Sequence, residues 1–196
     1  MTLLVLIRHG RTTWNTQGRM QGQADKPLSA AGRRQVESWR VPETWRDYDW
    51  ITSPLRRTRD TAKLLLGCVP TADPRLIEMS WGQWEGRRLR GLRAEMGEEF
   101  DRMAERGIEF QRPGGESPRQ VQERLRPLLA ELAHRCRPTV GITHRGVIRA
   151  LYADAVGWDM KSDPPDDLHD DCAQVFALEA GGNLRVERLN VNLRSP

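Results

Sequence analysis

Cysteine, lysine and long apolar runs are all scarce in this 196-residue chain. The three cysteines, Cys68, Cys136 and Cys172, are odd in number and far apart, with no CxxC. That excludes a disulfide scaffold and a structural zinc centre, and it reads the three as small buried hydrophobes in a reducing compartment. No stretch approaches the roughly 18 apolar residues of a membrane-spanning helix. The N-terminal run Leu3 to Ile7 is too short for a secretory signal core and follows no basic segment. The expectation is a soluble, cytoplasmic protein with no membrane partner. Low-complexity tracts and repeat arrays are absent too. Of 31 basic side chains only Lys26, Lys63 and Lys161 are lysines, which leaves 28 arginines facing 27 acids at a net charge of +4.

The hydrophobic share of 38% rises to about 45% once glycine is counted, within the globular range of roughly 45–50%. Global disorder is excluded. The length suits one domain over residues 1–196, since domains hold roughly 100–200 residues. Leu3-Leu4-Val5-Leu6-Ile7 is continuously apolar, as a strand buried on both faces is. Ser29 offers an N-cap to a helix that runs to Pro42. Trp50-Ile51-Thr52 reads as a second strand, and Ser53-Pro54 as a cap with proline at the first position of helix Leu55–Leu66. Short strands are expected at Pro70–Ala72 and Leu76–Ile77. Val121, Leu125, Leu128, Leu129 and Leu132 form one helical stripe behind Ser117-Pro118. Strand Thr139–Thr143, helix Val147–Val156 and a hairpin of Ala173–Leu178 with Leu184–Leu189 complete the chain. Strands alternating with helices imply an α/β fold, a three-layer αβα sandwich with a mostly parallel sheet. Residues 87–112, with helices at Leu89–Met96 and Glu98–Arg106, read as a small helical cap excursion.

Two histidines, His9 and His144, each follow a buried strand directly and sit near a glycine. In open α/β sheets ligands bind at the carboxyl ends of strands, where these two side chains can meet. Arg56, Arg57 and Arg59 open a predicted helix, where the dipole disfavours cations, and Arg8, Arg145 and Arg149 also fall at strand ends or helix starts. Helix N-termini and planar guanidinium forks both suit phosphate oxygens. The physical reading is a phosphate pocket that contains histidine.

The motifs resemble those of the histidine phosphatase superfamily, the phosphoglycerate mutase-like fold. Arg8-His9-Gly10-Arg11-Thr12-Thr13-Trp14-Asn15 is similar to its signature, and five further blocks follow in family order. They are Gln21-Gly22-x-x-Asp25-x-Pro27-Leu28-Ser29, Ser53-Pro54-Leu55-Arg56-Arg57, Glu78-Met79-Ser80-Trp81-Gly82-x-Trp84-Glu85-Gly86, Pro113-Gly114-Gly115-Glu116-Ser117 and Thr143-His144-Arg145-Gly146. The resemblance implies that His9 is the nucleophile that forms a phosphohistidine. It implies that Arg8, Arg57 and His144 hold the phosphoryl oxygens with Asn15 as a further donor, and that Gln21, Gly22 and Arg145 add substrate contacts. Glu78 is the implied proton donor, which requires a carboxyl pKa raised by burial. Neither metal nor cofactor is implied.

Some residues have plainer readings. His134 and His169 read as surface histidines, and Arg56 and Arg59 as solvated helix-face residues. Glu85 is either a salt-bridge partner or a site residue. Trp14, Trp81 and Trp84 either line the pocket or pack beneath it. Arg11, where the family often has an acid, Arg145, where it often has glycine, and Thr58 and Asp60 in the arginine helix are departures that bear on substrate preference. The short spacing between the Glu78 and Gly114-Gly115 blocks, with a chain that stops soon after the final hairpin, favours hydrolysis of small phosphorylated metabolites over phosphoglycerate mutation. The Glu78 block looks like those of α-ribazole 5′-phosphate phosphatases and broad-specificity phosphatases. Arg87, Arg88, Arg90 and Arg93, with Met96, Phe100 and Phe110, are expected to form the specificity surface. A basic nucleic-acid-binding module is the non-enzymatic alternative, alongside an inactive scaffold. Against the first, acids are interleaved with the arginines, residues Asp163 to Asp171 are an acidic stretch, and no nucleic-acid motif is present. No oligomer signal separates monomer from homodimer.

Overall fold

Alternate residues of the Leu3–Ile7 run face opposite ways, so an apolar run of this kind needs helices on both sides of its sheet. The computed structural model, which describes residues 1–194, supplies them. Strand β1 (Thr2–Arg8) lies inside a six-stranded sheet with β2 (Asp49–Thr52), β3 (Thr71–Ala72), β4 (Thr139–Thr143), β5 (Cys172–Leu178) and β6 (Leu184–Asn192), in the order β3-β2-β4-β1-β5-β6. The β1–β4, β4–β2 and β2–β3 pairs are parallel, while β1–β5 and β5–β6 are antiparallel. The sheet is therefore mixed with a parallel majority, as expected.

Leu4 and Leu6 pack on one face with α6 (Pro118–Arg135) and α7 (Arg145–Val156), through Val121, Leu125, Leu129, Ile148 and Leu151. Val5 and Ile7 pack on the other with Val36 of α2 (Ala30–Glu37) and Leu64 and Leu65 of α3 (Arg56–Leu66). Ser117 caps α6 as read: its hydroxyl accepts from Gln120 N–H, and the Gln120 side chain accepts from Ser117 N–H. Residues 87–112 hold α4 (Leu89–Met96) and α5 (Glu98–Ala104), the latter two residues shorter than expected. They enclose a third apolar cluster of Met20, Trp84, Leu92, Phe100 and Phe110.

Four expectations need correction. Leu76–Ile77 is no strand, because Pro74–Leu76 turns in a short 3₁₀ segment capped by Asp73. Ser53 does not cap α3: Leu55 is still extended, and the first helical N–H, that of Arg56, is satisfied by Asp25 Oδ1 at 2.7 Å. Thr13–Thr16, in the stretch between the first strand and Ser29 where no element is expected, is a short helix α1 closed by a capping box between Thr12 and Asn15. Cys68 and Cys136 are exposed and Cys172 half-buried. The first two follow the last turns of α3 and α6, beyond the apolar stripes that face the sheet.

Candidate active site

The register that pairs Arg8 with Thr143 delivers the next residue of each strand, His9 and His144, to the same carboxyl edge. His9 N–H donates to Thr143 O at 3.1 Å, and the ring centroids lie 5.2 Å apart at 61°. The next strand over, β2, leads through Ser53 into α3, which brings in Arg57. Its side chain is fully buried, and its guanidinium organises the centre. Nη2 donates to Gly22 O at 2.7 Å and Nη1 to Ala24 O at 3.0 Å, while Nε points between His9 Nε2 at 3.2 Å and His144 Nδ1 at 3.3 Å.

These contacts fix the tautomers, because a carbonyl only accepts and a guanidinium only donates. His9 Nδ1–H donates to Gly10 O at 2.7 Å, leaving the Nε2 lone pair toward Arg57. His144 presents its Nδ1 lone pair to Arg57, so its Nε2–H donates to Ser53 Oγ at 2.7 Å. Burial, Arg57 and Arg8 hold His9 well below the ordinary histidine value, against the raising effect of the Gly10 carbonyl. Burial and Arg57 lower His144 in the same way. Both rings are neutral near pH 7, and a neutral ring with an aimed lone pair can serve as a nucleophile.

Glu78 is buried beside them. Its oxygens accept from Met79 N–H at 2.8 Å and Gly146 N–H at 3.3 Å. Burial raises its pKa, opposed by Arg57 and by these two N–H groups. Arg8 is ion-paired with Asp170, and its Nε is buried without an acceptor. Asn15 Oδ1 accepts from Thr12 N–H at 2.9 Å, and Gln21 Oε1 accepts from Thr12 Oγ1 at 2.8 Å. Among the described residues no three His, Cys, Asp or Glu side chains cluster as a metal site requires.

These groups open on a pocket of about 610 Å³. Arg8, His9, Asn15, Gln21, Gly22, Glu78 and Arg145 line it, with Arg57 and His144 packed behind. Glu85 latches the loop that carries Gly22, since its carboxylate accepts from Gln23 and Ala24 N–H at 2.8 and 3.0 Å. Trp81 lines the pocket, whereas Trp84 is buried in the cluster of α4 and α5, and Trp14 packs beneath Lys26. His134 and His169 are exposed, as are Arg56 and Arg59.

The expected specificity surface is different in the structure. Arg87 pairs with Glu95, Arg93 with Asp101, and Arg88 donates to Gln17 O, all away from the pocket. Phe100 stacks on Trp84 inside its cluster, and only Phe110 of that set reaches the pocket wall. Arg19, Arg112 and Arg149 line it instead. Sequence reasoning missed Arg112, although its place directly before Pro113-Gly114-Gly115 was a usable signal. It also missed Ser53, the acceptor for His144, and the role of Thr61, whose hydroxyl accepts from Gly10 N–H at 3.0 Å and donates to Arg57 O at 2.7 Å.

Comparison with known proteins bears on this arrangement. A model of the histidine phosphatase superfamily (branch 1) matches residues 4–192. The probable phosphoglycerate mutase GpmB of Klebsiella pneumoniae subsp. pneumoniae is 38% identical over 167 residues, covering 80% of this chain and 76% of that protein. A mycobacterial glucosyl-3-phosphoglycerate phosphatase, solved with inorganic phosphate, is similar with a TM-score of 0.80 at 30% identity over 98% of each chain. The α-ribazole phosphatase of Shigella flexneri is similar with a TM-score of 0.80 at 26% identity, covering 100% of this chain and 99% of that one.

Proposed function

Because the chain belongs to the histidine phosphatase superfamily, branch 1, we propose that it hydrolyses small phosphomonoesters through a phosphohistidine on His9. One observation carries this reading: His9 is buried and neutral in the pocket wall with Glu78, and its Nδ1–H is fixed on Gly10 O, which leaves the lone pair on Nε2, beside Arg57.

In the first step His9 Nε2 bonds to phosphorus as the P–O bond to the alcohol breaks, and Glu78 gives its proton to the leaving oxygen. In the second step water attacks phosphorus, the Glu78 carboxylate takes the water's proton, the N–P bond breaks, and inorganic phosphate leaves. Arg8, Arg57 and Asn15 donate to the phosphoryl oxygens, where negative charge is spread in the transition state. Gln21 and Gly22 shape the phosphate loop: Gly22 gives its carbonyl to Arg57 and Gln21 accepts from Thr12. Arg145, exposed at the start of α7, faces the substrate. The chemistry uses no metal, and α-ribazole 5′-phosphate and glucosyl-3-phosphoglycerate head the substrates to be tried.

A second reading, phosphoryl transfer between carbons of phosphoglycerate, is favoured by the name of the relative that is 38% identical. A coupled assay separates the two, since the mutase reading requires 2- and 3-phosphoglycerate to interconvert faster than phosphate is released. The phosphatase reading expects p-nitrophenyl phosphate hydrolysis that persists in EDTA, and an acid-labile, alkali-stable adduct on His9. Full turnover by His9→Ala would end it.

A further inference from the structure

Arg112 is a buried cation with no carboxylate at ion-pair distance among the described residues. It is 8% exposed, and its guanidinium is clamped between Trp81 at 4.4 Å and Phe110 at 4.5 Å from the ring centroids. Nη1 donates to Phe110 O at 2.7 Å, with Met79 Sδ and Glu116 O each at 3.5 Å. The neighbouring acid, Glu116, is committed elsewhere, accepting from Ser80 N–H and pairing with Arg124. Burial lowers Arg112 only to about 10, so it remains charged near neutrality.

The unused donors are informative. Nε is buried with no acceptor, and Nη2 has no acceptor among the described residues and is not among the solvent-inaccessible atoms. Nε and Nη2 form one side-on edge of a guanidinium, whose two parallel N–H bonds match the two oxygens of a carboxylate. The edge belongs to a residue of the pocket wall, and Met79, which its guanidinium touches, is adjacent in sequence to Glu78. Glu78 lines the same pocket and acts electrostatically on Arg112, so a group that Glu78 protonates as it leaves departs into the space that Arg112 lines.

We propose that Arg112 is the specificity-determining residue of this pocket, and that it binds a carboxylate carried by the alcohol part of the phosphate ester. The aromatic clamp holds the guanidinium in place before the ester arrives. The carboxylate supplies the acceptors that the protein withholds from Nε and Nη2, and an ester with a neutral alcohol leaves them unmet. This rests on the phosphatase reading for its orientation.

The matched pair 3-phosphoglycerate and glycerol 3-phosphate tests it, because one carries a carboxylate where the other carries a hydroxymethyl group. Phosphate release by the wild-type protein should favour the carboxylate ester by about 10- to 100-fold in kcat/KM, the range of a charge-assisted pair. In Arg112→Met the ratio should fall to within about threefold of unity, chiefly through KM for 3-phosphoglycerate. Arg112→Gln replaces it if the methionine variant does not fold. A wild-type ratio near unity, or a ratio unchanged in a folded variant, overturns the proposal. If neither ester turns over and no phosphohistidine forms, the phosphatase reading fails instead. Dissociation constants of the same two esters, measured by calorimetry on wild type and variant, then decide the carboxylate site by the same ratio.

Discussion

Replacing Glu78 by glutamine keeps the shape of the side chain and removes its titratable proton. Burial raises the Glu78 pKa, while burial together with Arg57 and Arg8 lowers that of His9. The competent form has neutral His9 and protonated Glu78. Activity should therefore fall on the acid side as His9 gains a proton, and on the alkaline side as Glu78 loses one, with kcat/KM reporting the free protein. For an alkyl phosphate the general acid is worth about 10²–10⁴-fold, and Glu78→Gln should lose that much. On p-nitrophenyl phosphate, whose leaving phenolate needs little protonation, the loss should be smaller, and the alkaline limb should vanish on both. Stability carries the same signature. Between the ordinary carboxyl value of 4.5 and the raised one, the folded protein binds a proton that the unfolded chain has released, so wild-type stability falls as pH rises. Each tenfold gain in proton affinity on folding corresponds to about 1.4 kcal/mol. Glutamine escapes that loss, but it can accept from only one of the Met79 and Gly146 N–H groups, and the orphaned donor costs about 1–3 kcal/mol. The variant should thus melt below wild type in acid and gain on it as pH climbs. An alkyl-ester rate within threefold of wild type, or an alkaline limb that persists, refutes Glu78 as the proton donor.

Two other substitutions probe the scaffold of the site. Ser53→Ala removes the acceptor of His144 Nε2–H, which frees the ring to change tautomer. It should lower kcat/KM about tenfold, the worth of a buried hydrogen bond to an aimed group, and steady-state rates within twofold of wild type would count against it. Gly22→Ala places a Cβ on Glu85 Oε1 and 2.9 Å from Trp81 N at a φ of +53°. The strain of about 1–3 kcal/mol should depress the melting temperature by about 3–10 °C. Because the Gly22 carbonyl anchors Arg57, inhibition by inorganic phosphate should weaken in parallel.

What could be read from the sequence follows the range over which each signal acts. The β1 and β4 strands are local apolar runs, and the histidines that follow them are placed by strand register alone, so the heart of the site was legible. Ser53-Pro54 misled because the end of α3 is closed from a distance, by Asp25 on a loop 31 residues earlier in the chain, and Ser53 was left free to hold His144. The arginines of residues 87–112 misled for a related reason. Their charge is visible in the sequence, but Glu95 and Asp101 bind two of them locally and turn them outward. Arg112 is the opposite case. Its lack of an ion pair arises because Arg124, from α6, claims Glu116, a competition that only the assembled fold reveals.

The gathering of guanidinium groups also decides which residue can move a proton. Burial lowers the pKa of both histidines, and Arg57 and Arg8 lower it further. Two neutral imidazoles cannot supply a proton to a leaving alkoxide, so in the proposed reaction that task passes to a carboxyl group. The carboxyl must be buried enough to resist the same cations, which act to keep it ionised. Glu78 meets that condition because burial outweighs Arg57 in setting its pKa. In the proposed reaction, the phosphoryl dianion changes the balance for His144: its charge offsets that of Arg57 and favours a proton on Nδ1. That turns an acceptor facing Arg57 into a donor to a phosphoryl oxygen, while Ser53 keeps the other edge of the ring fixed. In the proposed reaction, nucleophile, oxygen clamp and proton donor are thus set by burial acting with one concentrated positive charge at the histidines and against it at Glu78. The environment of each group, more than its residue type, assigns the role.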